Sequence, residues 1–312
     1  MPADPLHSVH ATADWAGRPE RGSRTLLRIM AYLSLALGRR PCRAALYGIA
    51  GYFFLFAPTA RRESRRYLRR ALGREPGARE RFRHLLYFAT AIHDRVYLID
   101  GRYDAFSITV EGESIVRERL ASGDGAFLMG AHLGSFEVIG SVGRRQPGLT
   151  VAMAMYEDNA RKINEILGAI KPAVKPDIIS LGHLDAMLRI AGKLDEGAFV
   201  GMLADRTLGE EAVQAVTLLG YPARLPLGPM RAAALLRRPV IFMAGLYRGA
   251  NRYHVVFETI ADFSSTAPKA RDAAVRNAVE RYAALLERYC RSDPYNWFNF
   301  FDFWREPDGE PQ

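Results

Sequence analysis

From Phe106 onward the sequence alternates short apolar runs with stretches of helical period, and this alternation constrains the fold more than any other feature. The strand candidates are FSITVEG (106–112), AFLMGAH (126–132), LTVAMAM (149–155), DIISLG (177–182), AFVGMLAD (198–205), AVTLLG (215–220), PVIFMAGLYR (239–248) and YHVVFETI (253–260). Helical stretches separate them, among them GESIVRERLASG, stopped by Gly123, and HLDAMLRIAGKLDEG. A turn joins AVTLLG to the helix GPMRAAALLR, and a last long helix is expected over 268–291. The expected fold class is therefore α/β, a mixed, largely parallel sheet flanked by helices. With 312 residues, 49% of them hydrophobic, the chain can fill the core of one such domain and carry a helical extension.

That extension is expected at the N-terminus. TLLRIMAYLSLALG (25–38) is interrupted by Arg28, and AALYGIAGYFFLFAP (44–58) carries no charge. Each is shorter than the roughly 20 residues that span a bilayer. The first residues lack a basic n-region, so a signal peptide is not expected. Directly after the second stretch, RRESRRYLRR (61–70) sets six arginines against one glutamate. An apolar wedge followed by a basic cluster suits a helix lying in the interface of a membrane with anionic headgroups. The other reading is a hairpin packed on the protein's own core with a solvated arginine face. The expected division is a tail over 1–22, membrane-associated helices over 23–75, an α/β domain over 76–305 and a tail over 306–312.

Charge and cysteine usage narrow the function classes. Lys and Arg total 43 against 34 Asp and Glu, a net charge of +9. No recognised nucleic-acid module appears, and the arginine run adjoins an apolar wedge, so nucleic acid is not an expected partner. Cys42 and Cys290 lie far apart, without zinc spacing, which fits a reducing, cytoplasm-facing location and gives no metal. No phosphate-binding loop or dinucleotide fingerprint occurs.

The chemistry-bearing candidate is GAHLGSFE (130–137), where His132 ends a buried strand. Ligands of open α/β sheets bind beyond the carboxyl ends of the strands. Gly134 and Ser135 open a helix whose first N–H groups are suited to an anion or a developing oxyanion. Glu137, five residues past His132, is placed to reach back to the imidazole. A carboxylate-held histidine keeps one tautomer and serves as a general base. The alternative is a hydrogen-bonded structural histidine beside an acid that favours the helix dipole. Asp205-Arg206 ends AFVGMLAD on the same sheet edge, where Arg206 is a candidate for polarising a carbonyl or holding a phosphate. Asn159, Arg161 and Asn164 open a helix after a strand and are candidates for substrate contact, as is Arg224. His93-Asp94 lies within a long helical pattern where adjacent residues point apart, so it is not the expected pair.

GAHLGSFE resembles the H-x4-D/E block of glycerolipid acyltransferases and is closest to its H-x-G-x-x-E form in the bacterial lipid A late acyltransferases. MYEDNARKINEIL (155–167), HLDAMLRIAGKLDEGAFVGMLADR (183–206) and AVTLLGYPARLPLGPMRAAALLRRPVIF (215–242) resemble the later blocks of that family in order and spacing. The resemblance runs from about residue 25 to residue 304. It implies transfer of an acyl chain from acyl carrier protein, or coenzyme A, to a hydroxyl of a membrane lipid at the cytoplasmic face of the inner membrane. It implies His132 as base with Glu137 as its carboxylate, no acyl-enzyme, and no metal or organic cofactor. Ser135-Phe136 replaces the block's usual asparagine-tryptophan, and DPYNWFNFFDFW (293–304) lacks the basic residues frequent there. These two features look more like acyltransferases associated with aryl-polyene lipids. The non-catalytic alternative is a membrane-associated scaffold that binds lipids or acyl carriers.

Overall fold

The computed structural model describes residues 24–144, 146–156, 165, 168, 170, 171, 177–183, 185–207 and 211–304. Four helices come first: α1 (Arg24–Leu37), α2 (Arg39–Phe56), α3 (Pro58–Leu72) and α4 (Ala78–Asp100). Then follow β1 (Ser107–Glu111), α5 (Glu113–Ser122), β2 (Phe127–Gly130), α6 (Phe136–Gly143), β3 (Val151–Tyr156) and β4 (Ile178–Leu181). The chain continues through α7 (Ala186–Asp195), β5 (Phe199–Leu203), β6 (Val213–Leu218), β7 (Tyr221–Pro226), α8 (Gly228–Leu235), β8 (Pro239–Tyr247), β9 (Arg252–Asp262) and α9 (Arg271–Ser292). Seven strands form one sheet in the order β1-β9-β8-β2-β5-β3-β4, and only the β8–β9 hairpin pairs antiparallel. The expected mixed, largely parallel sheet is therefore present. The turn expected after AVTLLG is instead half of an antiparallel ribbon, β6–β7, outside the main sheet. Two prolines in YPARLP mask its strand character, and both sit on a ribbon edge where a missing N–H is tolerated.

The sheet is covered on both faces because its central strands are apolar on both sides. Every residue of β2 and β8 is buried. Phe127 and Met129 pack into one core with α7, α8 and α9, while Leu128 packs into the other with α4 and α6. Alternating side chains of one strand thus serve two layers.

Helices α1 and α2 carry the two apolar N-terminal stretches. Among the described residues no helix is long and apolar enough to cross a membrane. Only Leu46 and Ala50 of α2 are buried, whereas Tyr32, Leu37, Tyr52, Phe53, Leu55 and Phe56 are all at least half exposed. The arginine run on α3 is largely engaged within the fold. Arg62 pairs with Glu63 at 2.7 Å and Arg66 with Asp302 at 2.9 Å, Arg65 pairs with Glu75, and Arg70 lies over the rings of Tyr221 and Trp304. The basic cluster read from sequence as a headgroup surface thus also ties α3 to the C-terminal segment.

One buried ion pair anchors the N-terminal helices. Asp94 on α4 accepts two hydrogen bonds of 2.7 Å from Arg39 and one of 2.8 Å from the Tyr253 hydroxyl on β9. Burial alone pushes the Asp94 carboxyl up, but His93 and the Arg39 guanidinium outweigh it and hold the group below its ordinary value. The structure therefore assigns the His93-Asp94 acid to architecture. Asp94→Ala leaves Arg39 without its partner, and urea unfolding is expected to show a loss of about 3–5 kcal/mol. Because the folded pKa is depressed, the wild-type contribution is complete above the unfolded carboxylate value of about 4. It is lost as the pH falls through the lower folded value, so the gap between wild type and variant narrows in acid.

Candidate active site

Strand register builds the centre of the site. β2 and β5 are parallel neighbours with Met129 opposite Met202 and Gly130 opposite Leu203. The same offset, two residues past the strand ends, brings His132 opposite Asp205. Asp205 Oδ1 lies 2.9 Å from His132 Nδ1, and Asp205 Oδ2 accepts the His132 backbone N–H at 3.0 Å. Oδ2 also accepts the indole N–H of Trp297 at 3.0 Å. Burial raises the Asp205 carboxyl, yet the His132 charge and hydrogen bond, the neighbouring Arg206 and the Trp297 donor together hold it well below the carboxylate range. An ionised Asp205 fixes the proton of a neutral His132 on Nδ1 and leaves Nε2 as the basic nitrogen. The imidazole is 31% exposed, so its edge is accessible.

The turn after His132 differs from the sequence expectation. Gly134 has φ of 76°, and a Cβ there would collide with the carbonyl of Gly245 on β8. Glycine is required because two backbones meet at this point. The Gly134 N–H donates to the Asn296 carbonyl at 2.9 Å, and the Ser135 N–H donates to the Gly245 carbonyl at 2.8 Å. The amides expected to hold an anion are thus spent on the fold. Helix α6 begins one residue later, at Phe136, and Gly134 and Ser135 contribute to the site as cavity wall.

Glu137 also stands differently from its expected place against the imidazole. Its Oε1 is 2.6 Å from Arg95 Nε on α4, and its Oε2 accepts the Ser135 hydroxyl at 3.1 Å. The carboxylate on the imidazole is Asp205, and Glu137 is the counter-charge of Arg95. The physical reason is direction: the helix start turns Glu137 toward α4, while the adjacent strand delivers Asp205 at ring height. Arg95 was not singled out from sequence. Its signal is the spacing Phe88, Ala91, Ile92, Arg95, one stripe of a helix ending in a charge.

These groups share a cavity of about 310 Å³. Glu137, Arg95 and Arg206 supply its charge beside the His132 ring, and Phe88, Ile92, Phe136, Phe298, Phe300 and Phe301 supply apolar wall. Arg206 donates to the Phe298 carbonyl at 3.1 Å and lies 4.9 Å from the Phe301 ring centroid. Burial lowers its pKa while the Asp205 charge opposes that shift. The segment DPYNWFNFFDFW splits in role: Trp297 is wholly buried, whereas Phe298, Phe300 and Phe301 line the cavity.

The remaining predicted residues fall elsewhere. Arg224 stands exposed on the β6–β7 ribbon, outside the cavity wall. Asn159, Arg161 and Asn164 lie outside the described residues. Among the described residues no group of three His, Cys, Asp or Glu side chains is arranged to hold a metal.

A histidine held by a buried carboxylate, at the carboxyl edge of a parallel sheet and facing a phenylalanine-lined cavity, suits proton transfer beside an apolar chain. No curated protein matches the sequence. The family model described as bacterial lipid A biosynthesis acyltransferase matches residues 20–306, nearly the whole chain. The chain belongs to the bacterial lipid A biosynthesis acyltransferase family.

Proposed function

We propose that the protein transfers an acyl chain from a carrier-protein thioester to a hydroxyl of a membrane lipid, with His132 as general base. The observation that carries this reading is the contact between His132 Nδ1 and the ionised Asp205 at 2.9 Å, on the wall of a cavity lined by phenylalanines. His132 Nε2 takes the proton of the acceptor hydroxyl as its oxygen attacks the thioester carbonyl. The carbonyl π pair moves to oxygen, and the tetrahedral intermediate then re-forms the carbonyl and expels the thiolate. The thiolate takes the proton back from His132, and because the acceptor oxygen attacks the thioester directly no acyl-enzyme forms. Asp205 stabilises the imidazolium while it exists. With the amides of Gly134 and Ser135 occupied, the guanidinium of Arg206 or Arg95 is assigned to the developing oxyanion. The phenylalanine wall is assigned to the acyl chain. The turn residues and Asn159, Arg161 and Asn164 remain candidates for the acceptor or donor.

The exposed faces of α1 and α2 are assigned to the inner surface of an inner membrane. Helix α4 packs on α2 and also walls the cavity, so a lipid acceptor reaches the site along the protein's own anchor. Exposed arginines of α3 such as Arg69 supply attraction to anionic headgroups. The two departures in GAHLGSFE and the C-terminal segment favour an acceptor or acyl chain of the aryl-polyene kind over lipid A itself.

Detergent-purified protein incubated with carrier-protein thioesters of saturated or aryl-conjugated acyl chains and total membrane lipid is expected to yield a new acylated lipid by mass spectrometry, lost in His132→Ala. Product at wild-type rate from folded His132→Ala contradicts the base assignment, and no product with any donor favours the scaffold alternative. Asp205→Asn is expected to lower kcat by about 10²-fold or more, because it removes the charge that holds the imidazolium. Glu137→Gln is expected to cost less, because its loss is relayed through Arg95. Replacing Tyr52, Phe53 and Phe56 together by serine is expected to abolish flotation with vesicles containing anionic lipid while leaving the unfolding midpoint nearly unchanged.

A further inference from the structure

We propose that Trp297 is a positioning residue for His132, acting through the carboxylate of Asp205; the proposal rests on the general-base reading above. The backbone around Trp297 forms a strap across the two catalytic turns. Leu133 and Trp297 form an antiparallel bridge, the Gly134 N–H donates to the Asn296 carbonyl at 2.9 Å, and the Phe298 N–H donates to the His132 carbonyl at 2.9 Å. From the other turn, Arg206 donates to the Phe298 carbonyl at 3.1 Å. Asn296 is itself fixed to β8, accepting the Tyr247 N–H at 2.7 Å and donating to the Tyr247 carbonyl at 3.1 Å. The strap therefore holds the His132 turn and the Asp205-Arg206 turn in one geometry.

The indole adds what backbone cannot. Trp297 is wholly buried, and its ring meets Tyr67 edge-on at 5.2 Å, Phe303 at 4.9 Å and Trp304 at 5.9 Å. That packing aims Nε1 at Asp205 Oδ2, at 3.0 Å. Oδ2 then carries two N–H donors, from Trp297 and from the His132 backbone, and Oδ1 is left for the imidazole. A carboxylate fixed by two donors on one oxygen cannot rotate away from the ring when His132 takes up a proton. From behind, the Trp297 carbonyl lies 2.9 Å from His84 Nε2, and His84 Nδ1 lies 2.9 Å from the Ser64 hydroxyl. Burial outweighs the carbonyl bond and sets His84 at about 4, so this support stays neutral through the working pH range. Trp304 is the internal control. It packs in the same cluster, but among the described residues its indole nitrogen has no hydrogen-bond partner, and it does not line the cavity.

Among the described residues, the charged and titratable groups around the pair are Asp205 and Arg206 after β5, Glu137 on α6, Arg95 on α4, and Tyr282 and Cys290 on α9. None is altered in the test. Position 297 is changed to Phe and, keeping the ring shape without the N–H, to β-(3-benzothienyl)alanine. Trp304→Phe is made alongside. Two readouts are taken: kcat and KM with the carrier-protein thioester and membrane lipid, and the pH midpoint of diethyl pyrocarbonate modification at His132, read by peptide mass spectrometry. The second needs no turnover, so it tests the positioning even if the acyl-transfer reading fails with an inactive wild type.

With the indole donor removed, the Asp205 carboxylate is free to turn from the ring and its hold on the imidazolium loosens. Both 297 variants are expected to move the His132 midpoint to lower pH, and to lower kcat roughly ten- to a hundredfold with KM within about twofold. Trp304→Phe is expected to move neither. A 297 isostere that is folded and shares the midpoint and kcat of Trp304→Phe overturns the proposal and makes Trp297 a packing residue.

Discussion

The pairing of β2 with β5 is the interaction on which the site depends. Met129 opposite Met202 fixes an offset that makes His132 and Asp205 neighbours two residues past the strand ends. A slip of one residue turns the slipped strand's side chains to the opposite face and separates the two side chains. The register is held by burial, because Phe127 and Met129 face one apolar layer and Leu128 the other. The core thus sets catalytic geometry directly. The ionised Asp205 is tolerated at full burial only because three N–H groups meet it there.

Three layers of support follow outward. The Gly134–Gly245 contact lets the turn cross β8 at backbone distance, the strap around Trp297 joins both turns, and α4 closes the cavity with Arg95 on Glu137. Helix α4 also receives the Arg39–Asp94 pair, which ties it to α2. The exposed apolar helices and the cavity are therefore joined by one rigid element.

Much of this was legible in the sequence. Alternation of apolar runs with helical periods gave the sheet and its helical cover, and the end of AFLMGAH marked His132 without reference to any partner. Asp205 was placed on the correct edge, but its contact with His132 depends on which strands are neighbours, and sequence order does not state that β2 lies between β5 and β8. Glu137 drew attention because it is near in sequence. Local spacing favours such pairs, and the structure favours the partner 73 residues away. The β6–β7 ribbon was hidden by its prolines. The aromatic ending supplies both core and cavity wall, with Trp297 buried and Phe298, Phe300 and Phe301 on the cavity.

The central claim is that the carboxylate governing His132 is Asp205. The ¹⁵N spectrum of protein labelled in its imidazoles, with His132 assigned by substitution, tests it most directly. A protonated Nδ1 and a bare Nε2 are expected, with an Nδ1 proton signal shifted far downfield that disappears in Asp205→Asn and survives in Glu137→Gln. A signal that survives in Asp205→Asn and is lost in Glu137→Gln contradicts it.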